Sequence, residues 1–149
     1  MDLKHQLYDL CVGYLSKKAS DIKQVIDDAV DAANNEEKSS AGDKYETGRE
    51  MMQQEIELNT ARLKELNKQK EILDRINPTI KNVSAQLGAL VHTNNGWYYL
   101  SIGAGQLKIE NKTYYAISAS SPIGEVLFGK KTGEEFVLNG KKFVVEHVF

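Results

Sequence analysis

The sequence predicts an α+β protein in which two long helices precede a small β-sheet domain with one short helix. Residues 1–76 lack proline and carry apolar side chains at helical spacing, whereas the second half has β-branched and aromatic runs separated by glycines. Asn77-Pro78 lies between them, and proline disfavours helix at the residue before it. We expect an antiparallel coiled-coil hairpin over 1–76, a linker over 77–86 and a sheet domain over 87–149.

Composition excludes several classes of protein. The net charge of -2, from 19 basic and 21 acidic residues, excludes a polycation that grips nucleic acid by charge alone. Apolar runs are shorter than the roughly 18–20 residues that cross a bilayer, and the N-terminal sequence lacks a secretory pattern. The single cysteine, Cys11, has no internal disulfide partner. We therefore expect a cytoplasmic protein without a membrane partner.

Two apolar stripes predict the hairpin. The first arm carries Leu3, Leu7, Leu10, Tyr14, Ile22, Val25 and Ala29. The heptad stripe of the second arm comprises Met52, Ile56, Leu63, Leu66, Leu73 and Ile76, with Asn59 and Lys70 at the remaining seam positions. This spacing is typical of coiled-coil seams, in which a polar residue such as Asn59 sets the register.

The two stripes match in an antiparallel arrangement. Pairing Leu3 with Ile76 and Leu7 with Leu73 keeps the sum of the residue numbers nearly constant. This places the turn near residues 39–40, within the loop-forming stretch 34–42. Arms of about 30 residues would reach roughly 45 Å. A parallel homodimeric coiled coil would produce similar stripes, but the constant sum favours the intramolecular hairpin.

Turn signals divide the second half into short elements. We predict strands over 87–93, 97–102, 112–118, 136–138 and 141–149. Asn95-Gly96 and Asn139-Gly140 are typical hairpin turns. Ser120-Ser121-Pro122 predicts a helix start, with a serine cap and proline at the first helical position. That helix would cover 123–128 and end at Gly129.

The residues give little support for a free-standing enzyme. Cys11 lies on an amphipathic helix, which favours a buried small side chain over a nucleophile. His5, His92 and His147 lie on three different predicted elements without metal-ligand spacing. Gly103-Ala104-Gly105 lacks the rest of a dinucleotide-binding motif. An acyltransferase built on Cys11 is a remote alternative.

Acidic residues cluster where the two predicted arms meet. Glu36, Glu37, Asp43 and Glu46 lie in or beside the turn. Carboxylate oxygens suit Mg²⁺, which commonly shares its ligands with phosphates and a second protein group. Asp43-x-x-Glu46 is also a good capping box for the second helix, and spacing alone favours that interpretation. The two roles are compatible because a capping acid retains lone pairs.

These features together resemble the Gre transcript cleavage factors, bacterial proteins of transcription elongation. The resemblance is strongest in the C-terminal half, where the chain has Ile117-Ser118-x-x-Ser121-Pro122-Ile123 followed by Leu127-Phe128-Gly129-Lys130-Lys131-x-Gly133-Glu134-Glu135-Phe136. Gly42-Asp43-Lys44-Tyr45-Glu46 is similar to the Gly-Asp-x-x-Glu that holds the family's two functional acids. Directly after Glu46, the sequence no longer follows the pattern of the family. In an alternative alignment, the two acidic positions of the family fall on Lys38 and Ala41, which carry no carboxylate. Glu36 and Glu37 would then take the role of the two acids.

The resemblance implies an FKBP-like C-terminal domain that docks at the secondary channel of bacterial RNA polymerase. Candidate docking residues are Ser121, Pro122, Lys130 and Lys131. The hairpin would carry Asp43 and Glu46 to the second catalytic Mg²⁺ of the polymerase, beside the 3′ end of backtracked nascent RNA. The chain would stimulate the polymerase's own nuclease, be no enzyme itself and hold no tightly bound cofactor. On residue type alone, Lys130 and Lys131 are solvated turn charges.

Two other functions stay open. One is a channel-binding regulator of the polymerase that does not promote cleavage. The other is an adaptor whose coiled coil forms homodimers. We expect a monomer, and a measurement of size in solution separates it from the adaptor.

Overall fold

A computed structural model describes residues 2–39 and 42–149, apart from the side chains of 36–39 and 42–47. Two long helices precede a six-stranded sheet with one short helix, which confirms the α+β class. The helices are α1 (Leu3–Ser39), α2 (Gly42–Asp74) and α3 (Pro122–Leu127). The strands are β1 (Leu90–Thr93), β2 (Gly96–Ser101), β3 (Gly105–Ile109), β4 (Lys112–Ser118), β5 (Glu135–Leu138) and β6 (Lys141–Val148).

The chain forms two compact units. One comprises Met1–Tyr14 with Glu71–Phe149, and the other is Leu15–Lys70. In the second unit the remaining parts of α1 and α2 pack together and bury Leu15, Ala29 and Leu66. Because only two residues connect these packed helices, they run antiparallel.

The buried stripes differ from the predicted ones at three positions. On α1, Leu10 and Val25 are exposed, and Ile26 is half-buried instead of Val25. On α2, Lys70 is exposed and Gln69 is half-buried. An α-helix has 3.6 residues per turn, so its inward face drifts by about 20° per heptad from a strict repeat. The shift also leaves the Lys70 ammonium in water.

The predicted loop between the arms is shorter than expected. The helix α1 continues to Ser39, through most of the stretch 34–42. The helix α2 begins at Gly42, close to the predicted turn. Glu and Lys are good helix formers, and packing along the arm adds to that preference. A run of polar residues therefore extended the helix rather than ending it.

The sheet is mixed, with strand order β3-β4-β2-β1-β6-β5. The pair β2–β4 is parallel, and the other neighbours are antiparallel. Asn139 and Gly140 have φ values of 52° and 76°, as a tight hairpin turn requires. In the other predicted hairpin, Thr93 pairs with Gly96, so Gly96 begins β2 and the turn residues are Asn94 and Asn95.

Strand β3 was not predicted from the sequence. It forms a hairpin with β4 through Glu110 and Asn111, whose φ values are 49° and 66°. This turn needs two positive φ values but contains no glycine, so the usual signal is absent. The first strand is also shorter than predicted. It begins at Leu90 because Gly88, with a φ of 90°, lies in a turn before it.

Both faces of the sheet are covered within the unit that contains it. One face packs its side chains, including Val91, Leu100 and Val145, with Leu127 of α3. On the other face, Ser101 Oγ lies 3.6 Å from the Sγ atom of Cys11 on α1. The first turns of α1 therefore share a core with the strands.

Candidate functional site

The predicted magnesium ligands fall where the structure describes no side chains. Glu36 and Glu37 lie near the end of α1, and Asp43 and Glu46 lie in the first turns of α2. Their side-chain geometry lies outside the described residues, so the metal site stays a prediction. One detail differs from the capping interpretation. Because α2 begins at Gly42, Asp43 follows the helix start instead of preceding it.

The serine-proline motif does begin a helix. Ser121 is the N-cap of α3, and Pro122 is its first residue. The Oγ atom of Ser121 accepts a hydrogen bond from the Gly124 N–H at 3.1 Å. The same hydroxyl donates to the Ser118 carbonyl at 2.7 Å. Ser121 therefore connects the end of β4 to the first turn of α3, as a capping residue does.

Gly124 allows α3 to approach β4 closely. A Cβ atom at this position would lie 2.0 Å from the Ser118 carbonyl oxygen and 3.0 Å from Ala119 Cα. This close approach was not predicted from the sequence. The available signal was a glycine within a predicted helix. Because glycine lowers helix stability, its presence there suggests that close packing against a neighbouring element requires it.

The segment Phe128–Glu134, which we call the α3 loop, presents the two predicted docking lysines. Gly129 N–H donates to the Ala85 carbonyl at 2.6 Å, and Ala85 N–H donates to the Lys130 carbonyl at 2.8 Å. Lys131 N–H donates to Glu134 Oε1 at 2.9 Å. The backbone of the loop is thus anchored. Lys130 is half-buried, Lys131 is exposed, and Phe128 is 53% exposed.

A cavity of about 570 Å³ lies beside the first residues of α1, between the segment 78–83 and the ends of β1, β2 and β6. Its walls include Trp97 and Phe149, whose rings stack with centroids 5.9 Å apart. Lys4 is 5% exposed and also lines the cavity. Burial lowers the pKa of Lys4, and the nearby charge of Asp2 opposes this shift.

Neither Lys4 nor this cavity was predicted from the sequence. A lysine in the first turn of an amphipathic helix is most simply interpreted as a solvated charge. Its buried position involves Ile80 and Phe149, which are distant in sequence and whose main-chain oxygens accept hydrogen bonds from Nζ.

Cys11 lies in an environment unlike that of a catalytic thiol. It is fully buried, and its Sγ atom is next to the Ser101 hydroxyl. Burial raises the pKa of the Cys11 thiol, although the hydrogen bond to Ser101 opposes this shift. Reactive cysteines instead have lowered pKa values and partial exposure. The geometry gives no support to the remote alternative of an acyltransferase.

The three histidines do not meet at one site. His5 lies 4.0 Å from Asp9 on α1. His92 and His147 are cross-strand neighbours with ring centroids 6.4 Å apart, and His92 Nδ1 lies 3.3 Å from Glu146 Oε2. Among the described residues, no group of three or more His, Cys, Asp or Glu side chains is arranged to bind a metal ion.

No helix in the described part of the chain is both long and apolar enough to span a membrane. Comparison with protein-family models gives no match, and a search of curated proteins finds no significant similarity.

Proposed function

We propose that this protein is a Gre-like elongation factor that binds bacterial RNA polymerase and stimulates Mg²⁺-dependent cleavage of backtracked RNA. The observation that carries the proposal is a pair of packed helices with four acidic residues near their adjoining ends. The serine-proline start of α3 and the α3 loop add support, because the same motif residues carry the family resemblance.

The dimensions of the helices suit a narrow channel. The helices α1 and α2 have 37 and 33 residues, and their arms within Leu15–Lys70 are each roughly 35–45 Å long. Such a two-helix unit carries acids at its end while filling little width. In two-metal hydrolysis, one ion activates the attacking water and the other stabilises the leaving oxygen. In the proposed mechanism, the polymerase holds the first Mg²⁺, and Asp43 and Glu46 help to hold the second.

The sheet domain is the proposed docking module, and we infer an FKBP-like fold for it. Its six-stranded mixed sheet with one short helix supports that inference. The α3 loop offers an exposed aromatic ring, Phe128, beside Lys130 and Lys131 on an anchored backbone. A pre-ordered loop loses less conformational entropy on binding than a disordered one. The proposal includes a cytoplasmic monomer without a tightly bound cofactor.

A cleavage assay on backtracked elongation complexes of a bacterial polymerase tests the proposal. Purified protein should accelerate Mg²⁺-dependent release of the RNA 3′ fragment. Asp43→Ala with Glu46→Ala should abolish the stimulation and leave binding to the polymerase intact. The matched control is Asp27→Ala with Asp31→Ala, which removes two exposed acids from α1 away from its end. Cleavage that survives the first change but not Glu36→Ala with Glu37→Ala would move the role to that pair.

Docking needs a separate measurement. Lys130→Glu with Lys131→Glu should weaken binding to the polymerase by about ten-fold or more and reduce cleavage in proportion. Lys108→Glu with Lys112→Glu is the control, because both lysines are exposed on the β3–β4 hairpin. Equal loss of binding for the two double variants would indicate a general charge effect and contradict the assigned docking surface.

The other candidate functions are outcomes of the same experiments. Tight binding with inhibition and without cleavage would assign the chain to the channel-binding regulators. A stable dimer in solution that does not bind polymerase would favour the coiled-coil adaptor.

A further inference from the structure

The chain contains two Asn-Gly dipeptides, and both lie at hairpin turns of the sheet. Asn95-Gly96 connects the end of β1 to the start of β2, and Asn139-Gly140 connects β5 to β6. In an Asn-Gly sequence the backbone nitrogen of glycine can attack the side-chain amide carbon of asparagine, because glycine has no side chain that obstructs the approach. The two sites share this chemistry and differ in their surroundings.

The side chain of Asn95 is held by its neighbours. Its Nδ2 atom donates to the Lys142 carbonyl at 2.9 Å and to Asn94 Oδ1 at 3.4 Å. The Asn95 N–H donates to Thr93 Oγ1 at 3.1 Å. Gly96 pairs with Thr93 in the β1–β2 ladder, and β1 lies inside the sheet between β2 and β6. Ring closure at Asn95 requires these hydrogen bonds to break first.

The side chain of Asn139 has no such restraint. It is exposed and forms no hydrogen bond with any residue that the structure describes. The Gly140 N–H donates to no main-chain oxygen within the described ranges. A Cβ atom at Gly140 would meet no atom within 4 Å. The attacking nitrogen and the amide that it would attack are therefore both open to solvent.

The position of this turn favours local opening. Strand β5 has four residues and lies at the edge of the described sheet, with β6 as its neighbour. A short hairpin is marginally stable by itself, and segments with few buried contacts open more readily than core strands. The φ value of 52° at Asn139 belongs to the closed turn. Opening of the β5–β6 hairpin frees the backbone to adopt the geometry that ring closure needs.

We propose that Asn139 is a site of spontaneous deamidation, that hydrogen bonds protect Asn95, and that the isoaspartate product loosens the β5–β6 hairpin. The Gly140 nitrogen loses its proton to a solvent base and forms a bond to Asn139 Cγ. The side-chain nitrogen takes up a proton from solvent and leaves as ammonia. Water then opens the succinimide ring at one carbonyl to give aspartate, or at the other to give isoaspartate. The reaction needs neither a polymerase nor a cofactor.

Peptide mapping measures both sites in one sample. The purified full chain is incubated in mildly alkaline buffer, digested with trypsin and analysed by mass spectrometry, which detects the exchange of NH₂ for OH. Trypsin releases Asn139 in the peptide 132–141 and Asn95 in the peptide 82–108, and fragment spectra assign the modified residue. In the native protein Asn139 should deamidate at least about ten-fold faster than Asn95, whose amide must first lose two hydrogen bonds.

The same incubation in guanidinium chloride separates the effect of structure from that of sequence. The two Asn-Gly dipeptides should then react at similar rates, because the restraints on Asn95 are lost on unfolding. Equal rates in the native protein, or faster reaction at Asn95, would overturn the proposal. A native ratio of rates no larger than the ratio in denaturant would also overturn it.

The isoaspartate form tests the effect on the hairpin. Isoaspartate inserts one additional carbon atom into the backbone of a two-residue turn. Strand β5 carries Phe136, whose ring stacks on that of Phe143 with centroids 4.8 Å apart. The isoaspartate form, isolated by ion-exchange chromatography, should unfold at lower urea concentration than the parent. Asn139→Asp is the matched control, since it has the same added charge and a normal backbone, and it should unfold with the parent. Equal midpoints for the isoaspartate form and Asn139→Asp would refute the loosening of the hairpin.

Discussion

The Sγ atom of Cys11 lies 3.6 Å from the Oγ atom of Ser101, and both side chains are buried. These residues are 90 positions apart, yet they connect the first turns of α1 to the end of β2. Tyr99 lies on the same face of β2 and is also fully buried. The start of the long helix is therefore part of the core of the sheet-containing unit.

Cys11 should react slowly in the native protein. Its thiol is buried, and its pKa is raised by that burial, so the reactive thiolate is scarce at neutral pH. We expect the rate of modification by a disulfide reagent such as DTNB to be at least 100-fold lower in buffer than in denaturant. The measurement is the absorbance of the released thiolate. Rapid modification of protein that remains folded would contradict the buried position.

Tyr99→Phe should stabilise the protein. Tyr99 Oη is buried and has no hydrogen-bond partner among the described residues. Leaving such a group unpaired costs about 1–3 kcal/mol, so its removal should raise the free energy of unfolding by about 1 kcal/mol at pH 7. Urea unfolding measures this change. Tyr115→Phe, at a half-buried position on β4, should have little effect.

The same substitution should alter the response of stability to alkali. Burial raises the pKa of Tyr99 in the folded protein far above its ordinary value of 10.0. As the pH rises through that ordinary value, the unfolded chain loses its phenolic proton first, so the free energy of unfolding falls. Urea unfolding between pH 8 and about pH 11 should show a smaller fall in Tyr99→Phe than in the parent. Equal falls would show that Tyr99 ionises normally in the folded state.

Two glycine substitutions should have opposite effects. Gly124→Ala would place Cβ 2.0 Å from the Ser118 carbonyl oxygen, so α3 or β4 must shift. We expect a loss of about 2 kcal/mol or more, as for other overpacked positions. Gly13 lies within α1 with no atom within 4 Å of the equivalent Cβ. Gly13→Ala should stabilise by about 0.5–1 kcal/mol through helix propensity. Thermal unfolding of both variants checks the contrast.

Local signals predicted the local structure well. The Ser121 cap, Pro122 at the start of α3 and the Asn139-Gly140 turn depend on neighbours within a few residues, and all three are confirmed. Strand β3 was missed because its turn uses Glu110 and Asn111 in conformations that glycine usually adopts.

Features that depend on distant residues were not predictable in the same way. Lys4 is buried where its Nζ atom donates to the main-chain oxygens of Ile80 and Phe149, which are distant in sequence. Leu10 and Val25 are exposed because the inward face of a helix follows 3.6 residues per turn along the whole arm. The spacing of apolar residues predicts that a buried stripe exists, but it does not predict which residue of each helical turn faces inward.

Asn59 provides a test of what fixes the register of the two arms. It is 4% exposed, and its Nδ2 atom donates to the Glu55 carbonyl of its own helix at 2.9 Å. Its Oδ1 atom accepts from Arg62 at 3.4 Å, also on α2. Both bonds are within one helix, so neither fixes how α1 and α2 align. Asn59→Leu should therefore raise the free energy of unfolding by about 1 kcal/mol, as apolar residues at seam positions do.

The expected result contrasts with that of a register-setting asparagine, whose loss would permit alternative pairings and larger oligomers. Chemical unfolding and size-exclusion chromatography of Asn59→Leu measure the two effects together. Asn67→Leu, at an exposed position of α2, controls for added hydrophobicity. If Asn59→Leu lowers the stability or forms dimers while Asn67→Leu does neither, Asn59 determines the pairing of the helices. In that case its role in specificity outweighs the stability that leucine would add.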